Sequence, residues 1–221
     1  MDRPVRPIVT VVLDVAAFGD DPRDRAAALF AAGADWIQLR DRHVPDAELL
    51  AAARALVSAR DEARKTRAPS DVCPCVIVNK RVDVVALIRA DGVHLGFDAV
   101  SVQDARTILG TEALIGRSLH SVDEVVAAKK TKGAVDYVHL APIWNPNSKP
   151  ATRPALGEER LAEAARAGLP VFAQGGLDPK RAASALDAGA AGVSMTGALS
   201  TGAEPAAILH PLLLSLRSAD A

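Results

Sequence analysis

Aromatic residues are scarce in this 221-residue chain: four Phe, two Trp and one Tyr, or 3% of the whole. Hydrophobic residues still make up 49%, so the interior must be built from Ala, Val, Ile and Leu. Neither sign of charge is in excess. Lys plus Arg number 26 against 27 Asp plus Glu, a formal net charge of -1. That balance gives no support to a nucleic-acid surface, and any basic site must be local. Long apolar runs are missing too. Residues 1–7 are charged and broken by proline, and the apolar run that follows covers only residues 8–13. Nothing approaches the ~20 residues of a membrane span. The expectation is a cytoplasmic protein with no membrane or nucleic-acid partner. Cys73 and Cys75 are the only cysteines. No second pair or His cluster completes a zinc site around them, so they read as two reduced thiols on one face of a strand, with no metal.

What is present is a rhythm. Short β-branched runs alternate with longer alanine-rich stretches. Strands are expected at residues 8–13, 35–40, 75–79, 92–95, 113–118, 136–140, 170–174 and 191–195. Helices are expected at 21–32, 45–65, 82–89, 101–109, 121–130, 158–167, 179–188 and 205–216. Ser101 is a plausible N-cap, and Ser121 with Glu124 forms a capping box. The strands are apolar throughout, as in a parallel sheet covered on both faces. Glycine-containing turns at 32–35, 89–92 and 188–192 lead from a helix end into the next strand. Eight strand–helix units in one domain over residues 1–221 predict an α/β TIM barrel. A doubly wound sheet is the alternative, but no G-x-G-x-x-G follows the first strand.

In such a barrel the chemistry lies at the C-terminal ends of the strands. Those ends carry Asp14; Gln38, Arg40 and Arg42; Asn79, Lys80 and Arg81; His94 and Gly96; Arg117, Ser118 and His120; Ser148 and Lys149 in the loop after strand 6; Gly175 and Gly176; and Ser194, Met195, Thr196 and Gly197. Small residues after strands 7 and 8 can expose backbone N–H groups to a phosphate; the plain alternative is a tight turn. A bulky residue at position 176 is then expected to remove ligand binding and spare the fold. Arg40, Arg42, Lys80, Arg117 and Lys149 are expected around one mouth, facing an anionic substrate, although a loop cation is often merely solvated. His120 is the best proton-transfer candidate, because an imidazole exchanges protons near neutral pH. Its plain alternative is a loop or capping histidine. His94 reads as a core residue, and His139 is left undecided.

The stretches WIQLRDR, VNKRVDVVALIRADGVHLG, IGRSLHSVDEV, DYVHLAPIWNPNSKP and FAQGGLDPKRAASALDAGAAGVSM resemble the thiamine phosphate synthase/TenI family, over nearly the whole chain and in the family's order. The resemblance implies a TIM barrel. It implies phosphate binding at Gly175, Gly176 and residues 194–197, and substrate contacts from Gln38, Arg40, Asn79, Ser118 and Lys149. The family has two branches. Synthases join a hydroxymethylpyrimidine diphosphate to a thiazole phosphate with Mg²⁺; TenI-type proteins are metal-free thiazole tautomerases. The two magnesium carboxylates of the synthases fall here at Lys80 and Ala99, and neither residue suits a hard cation that needs oxygen donors. Asp98 lies one position early. The TenI branch carries G-R-S-x-H with the histidine as proton carrier, matched by Gly116–His120.

The reading placed first is therefore a TenI-like tautomerase that binds a thiazole phosphate and needs no cofactor. His120 would be catalytic, with Gln38, Arg40, Arg42, Asn79, Lys80, Ser118, Ser148 and Lys149 on the substrate. The alternatives are a thiamine phosphate synthase, for which alone Mg²⁺ would be the cofactor, and a non-catalytic binder of thiazole or thiamine phosphate. Assembly as a homodimer is left open.

Overall fold

The computed structural model describes residues 6–68, 71–131, 135–145, 153–197, 199 and 203–218. The strands are β1 (Ile8–Leu13), β2 (Trp36–Leu39), β3 (Cys75–Asn79), β4 (Gly92–Leu95), β5 (Leu114–Leu119), β6 (Tyr137–Leu140), β7 (Val171–Gln174) and β8 (Gly192–Thr196). They form a closed parallel barrel in chain order, with β8 pairing back onto β1. The helices are α1 (Pro22–Ala31), α2 (Asp46–Thr66), α3 (Val82–Ile88), α4 (Val102–Leu109), α5 (Val122–Lys130), α6 (Gly157–Ala165), α7 (Pro179–Asp187) and α8 (Pro205–Ser218). The TIM barrel expected from the sequence is the fold observed. Both predicted serine caps form: the hydroxyl of Ser101 accepts from the Asp104 amide, and that of Ser121 from the Glu124 amide. A short 3-10 turn at Ala16–Phe18 was not anticipated. No helix among the described residues is long and apolar enough to cross a membrane.

Side-chain alternation along each strand divides the core in two. Outward positions such as Val9, Val11, Ile37, Val76, Val78, Ile115 and Val193 pack under the helices. Inward positions at the barrel base form a separate cluster of Ile8, Trp36, Cys75, Ile77, Tyr137, Phe172 and Ala191. Three of the seven aromatic residues, Trp36, Tyr137 and Phe172, meet in this cluster. Trp36 meets Tyr137 edge-on at 5.0 Å, and Tyr137 lies 5.2 Å from Phe172. Gly116 on β5 is required by this packing, since a Cβ there would lie 2.2 Å from the Tyr137 ring.

At the base, three aspartates that precede even-numbered strands tie each to the strand before it. The carboxylate of Asp35 accepts from the Val9 amide at 2.9 Å, Asp91 from Val76 at 2.8 Å and Asp136 from Ile115 at 2.7 Å. Each is neutralised by arginine: Arg6 and Arg67 on Asp35, Arg60 and Arg64 on Asp91, Arg106 on Asp136. Asp35 is buried and the other two are partly buried; such carboxylates are tolerated when both hydrogen-bonded and paired, as these are. Cys75 is buried at this end. Cys73 lies before the strand begins and is exposed, so the two thiols do not share a strand face as expected; both are free.

Candidate functional site

Above the aromatic base the barrel interior turns polar. The inward positions there are Thr10 on β1, Gln38 on β2, Asn79 on β3, His94 on β4, Ser118 on β5, His139 on β6 and Ser194 on β8. All but Ser118 are buried. Some of these groups satisfy one another. The Gln38 side-chain amide donates to Asn79 Oδ1 at 3.3 Å. His94 bonds the Ser118 hydroxyl through Nε2 at 2.9 Å and the Tyr137 hydroxyl through Nδ1 at 3.2 Å. His94 is the satisfied core residue expected. His139, undecided from sequence, faces the interior and packs against His94 with centroids 4.2 Å apart and the rings tilted by 35°. Burial pushes the His94 imidazole down to about 3, with nearby Arg40 adding to the shift. Burial and the neighbouring His94 hold His139 well below its usual range. Both rings are therefore neutral hydrogen-bonding groups.

Four buried polar atoms among the described residues have no partner: Thr10 Oγ1, Gln38 Oε1, His139 Nε2 and Ser194 Oγ. Unpaired buried polar atoms are costly; three of these, on Gln38, His139 and Ser194, share one inward layer of this polar floor, drawn from even-numbered strands, and Thr10 on β1 lies in the adjacent layer. Thr10 and His139 were not picked out from the sequence. Inward parity on β1 and β6 was the available signal.

The rim above this floor has two contrasting sides. On the β2–β4 side, Arg40 continues the inward face above Gln38. Its pKa is lowered, first by desolvation and then by Arg42. Neither arginine is ion-paired among the described residues. Between them Asp41 accepts from the amides of Val15, His43 and Val44 at 2.8–3.2 Å. Burial opposes its ionisation, but these donors outweigh burial and lower its pKa. Asp41 thus pins the β2–α2 turn that presents both arginines. Lys80 follows β3 and is ion-paired with Asp98 beyond β4. Arg81 is turned to surface partners, Asp46 and Asp83.

On the opposite side of the ring, β7 and β8 end in left-handed glycines: Gly175 at φ 95°, Gly176 at φ 63° and Gly197 at φ 88°. L-residues avoid this region. Gly197 is open, with nothing among the described residues within 4 Å of where a Cβ would stand. Gly176 is packed, and a Cβ there would lie 2.5 Å from the Asn145 carbonyl oxygen. The expectation that a bulky residue at 176 would spare the fold is therefore corrected, because that position is also a tight packing point. Ser194 points into the barrel and Thr196 is exposed at the rim, but the Met195 side chain faces the helices. Only its backbone can serve a ligand.

Arg117 needs a further correction. Gly116 and Ser118 face inward, so Arg117 faces outward and lines a small cavity with Phe97, Ser101 and Thr131. It is not at the mouth. His120 sits at the rim beyond Ser118. Its Nδ1 lies 2.6 Å from the Ala141 carbonyl oxygen, and its amide donates to Glu124 at 2.6 Å. A carbonyl can only accept, so Nδ1 carries a proton, and the tautomer this contact selects for a neutral ring leaves the lone pair on Nε2. Ser148 and Lys149 lie outside the described residues.

The family model described as thiamine monophosphate synthase matches residues 9–199. The chain belongs to this family. Among members of the thiamine monophosphate synthase family, the thiamine-phosphate synthase of Roseiflexus sp. (strain RS-1) is 36% identical over 214 residues, covering 96% of this chain and 86% of the relative. That of Methanoculleus marisnigri (strain ATCC 35101 / DSM 1498 / JR1) is 39% identical over 177 residues, covering 80% and 79%. The solved thiamine phosphate pyrophosphorylase from Pyrococcus furiosus superposes with a TM-score of 0.79 at 23% identity, over 96% of each chain. At that identity the superposition speaks for the fold alone.

Proposed function

We propose that this chain is an enzyme of thiamine biosynthesis that joins a hydroxymethylpyrimidine diphosphate to a thiazole phosphate. The observation that carries this reading is the match of residues 9–199 to the family model, together with relatives at 36% identity and above that bear the synthase name. The tautomerase placed first on motif grounds gives way to it. The two-sided rim fits the reading: two substrates, each carrying phosphate, need two anion sites across one mouth.

In this chemistry the bond from the pyrimidine methylene to the diphosphate oxygen breaks, and its electron pair leaves with the diphosphate. The thiazole nitrogen lone pair then forms the new C–N bond. Arg40, Arg42 and Lys80 would stabilise the charge that grows on the departing diphosphate. The amides at Gly176 and Gly197, with Thr196, would hold the thiazole phosphate. Gln38, Asn79, Ser118 and the unpaired atoms of the floor would orient the heterocycles. Alkylating an aromatic thiazole nitrogen yields the thiazolium directly and releases no proton, so His120 has only a positioning role here, bridging the ends of β5 and β6.

The magnesium implied for the synthase branch does not fit the residues present. Lys80 and Ala99 stand where carboxylates would be needed, and Asp98 is engaged by Lys80. No group of three or more His, Cys, Asp or Glu among the described residues could hold a metal ion. No step is routed through it.

The tautomerase remains a second reading because of one observation, the free Nε2 that the Ala141 contact selects for a neutral His120 ring. An assay of the purified protein with each substrate set separates the two. Thiamine phosphate formation is expected, and His120→Asn should keep it within about tenfold. Absence of thiamine phosphate, with a proton shift on a thiazole carboxylate phosphate that His120→Asn lowers by ~10²–10⁴-fold, would reverse the order.

A further inference from the structure

Two non-glycine residues among those described have left-handed backbone, Lys80 at φ 62° and Arg89 at φ 54°. Arg89 is explained by its place, since it caps the C-terminus of α3. Lys80 is not a helix cap. It sits in the two-residue turn from β3 into α3, fixed by its own amide on the His94 carbonyl at 2.9 Å and by the Val82 amide on its carbonyl at 3.0 Å. Glycine would make this turn without strain. A lysine held there points to a use for the side chain, because strained backbone persists where the surroundings demand it.

The side chain crosses to the end of β4. It runs over Gly96, where a Cβ would lie 3.2 Å from Lys80 Cε, and its ammonium is ion-paired with Asp98. The absence of a side chain at Gly96 opens that path. Lys80 Nζ is thus a positive charge at a set position, bridging the ends of β3 and β4. The Asp98 carboxyl is held below its usual range, first by the hydrogen bond from Lys80, with Arg42 contributing more weakly. Arg42 therefore belongs to the same patch, and Arg40 lies beside Arg42. An ammonium spanning two strand ends, with two unpaired guanidinium groups next to it, has the layout of a diphosphate site that contains its own cation.

We infer that the Lys80 ammonium, steadied by Asp98, supplies as a side chain the counter-charge for a diphosphate, so that this mouth takes a diphosphate ligand without a divalent metal. The identity of the ligand rests on the synthase reading; the metal-free site does not.

Inorganic pyrophosphate titrated calorimetrically into the full-length protein tests it. Wild type should bind in EDTA, and added Mg²⁺ should leave the affinity unchanged or lower it, because Mg²⁺ complexes pyrophosphate in solution. Lys80→Gly suits the left-handed turn, so it should keep or raise the melting temperature. It should also weaken pyrophosphate binding in EDTA by about ten- to a hundredfold, the loss expected for one charge-assisted contact. Lys80→Asp should bind pyrophosphate more tightly with Mn²⁺ than in EDTA, while wild type should not. Wild-type binding that requires Mg²⁺, no wild-type binding in either buffer, or undiminished binding by Lys80→Gly in EDTA overturns the inference. Metal-free binding by a wild type that makes no thiamine phosphate leaves the inference standing and removes the synthase reading instead.

Discussion

On the proposed function, the two sides of the mouth hold anions in different ways. Across from the arginines and lysine of β2–β4, the β7–β8 side offers backbone held open by glycine. Side-chain cations carry full charges, which suits a departing diphosphate whose charge is growing. Backbone amides are fixed when the chain folds, which suits a phosphate that only has to stay in place. The difference also predicts how each side fails. A lost side chain costs function, whereas a lost glycine costs structure as well.

The largest expected effect breaks the cationic side. Arg40→Ala should lower kcat/KM for the pyrimidine diphosphate by roughly 10²–10³-fold and leave KM for the thiazole phosphate nearly unchanged, since removing one transition-state donor costs about that much. Steady-state kinetics with each substrate varied in turn checks it. An equal rise in both KM values would mean that the two sides are not separate sites.

On the glycine side the paired comparison is Gly176→Ala with Gly197→Ala. The first forces a Cβ to within 2.5 Å of the Asn145 oxygen and should cost about 3 kcal/mol or more of stability. The second meets only backbone strain at φ 88° and should cost about 1 kcal/mol. Denaturant unfolding measures both. If Gly197→Ala also weakens phosphate binding while remaining folded, the phosphate belongs on that turn.

A smaller effect comes from beneath the rim. His94 and His139 are buried and neutral, with His94 pushed down to about 3 by burial and Arg40. In the unfolded chain an imidazole binds a proton below about pH 6.5, which the folded protein refuses until far lower pH. Stability should therefore be full above about pH 6.5 and fall as pH drops. The loss should be about 2 kcal/mol per imidazole by pH 5, at ~1.4 kcal/mol per pH unit. Denaturant midpoints from pH 7 to 5 test this, and His139→Phe should flatten the slope.

The smallest effect concerns the thiols at the far end of the barrel. Cys73 is exposed, and its thiol is lowered to about 6, chiefly by its contact with Cys75 and then by Arg64 working against burial. It should be alkylated by iodoacetamide at pH 7, while buried Cys75 resists and activity is retained. Mass spectrometry gives the stoichiometry.

How much of this was legible in the sequence depended on whether the information was local. Strand β3 matched its expected span, and the Ser101 and Ser121 caps formed, because periodicity and capping act within a few residues. Arg117 was misplaced although its signal was local as well: with Gly116 and Ser118 inward, alternation sends Arg117 out. That Gln38, His139 and Ser194 would meet in one layer with unpaired atoms could not be read, because β2, β6 and β8 share a layer only once the sheet closes. The Lys80–Asp98 pair was hidden twice over. Lysine is not a residue expected in a left-handed turn, and Asp98 looked displaced by one position until the fold showed which side chain it meets.

The aspartates at the barrel base have a consequence for symmetry. Asp35, Asp91 and Asp136 each bind the preceding strand, so the ring is built of two-strand modules, β1–β2, β3–β4 and β5–β6, each closed by one carboxylate and its arginines. In the fourth module the corresponding place holds Ala191, and the backbone alone makes the join, from the Ala191 amide to the Val171 carbonyl at 2.8 Å. The barrel is thus a fourfold figure with one clasp missing, and the unclasped quarter is the one whose strands end in Gly175, Gly176 and Gly197.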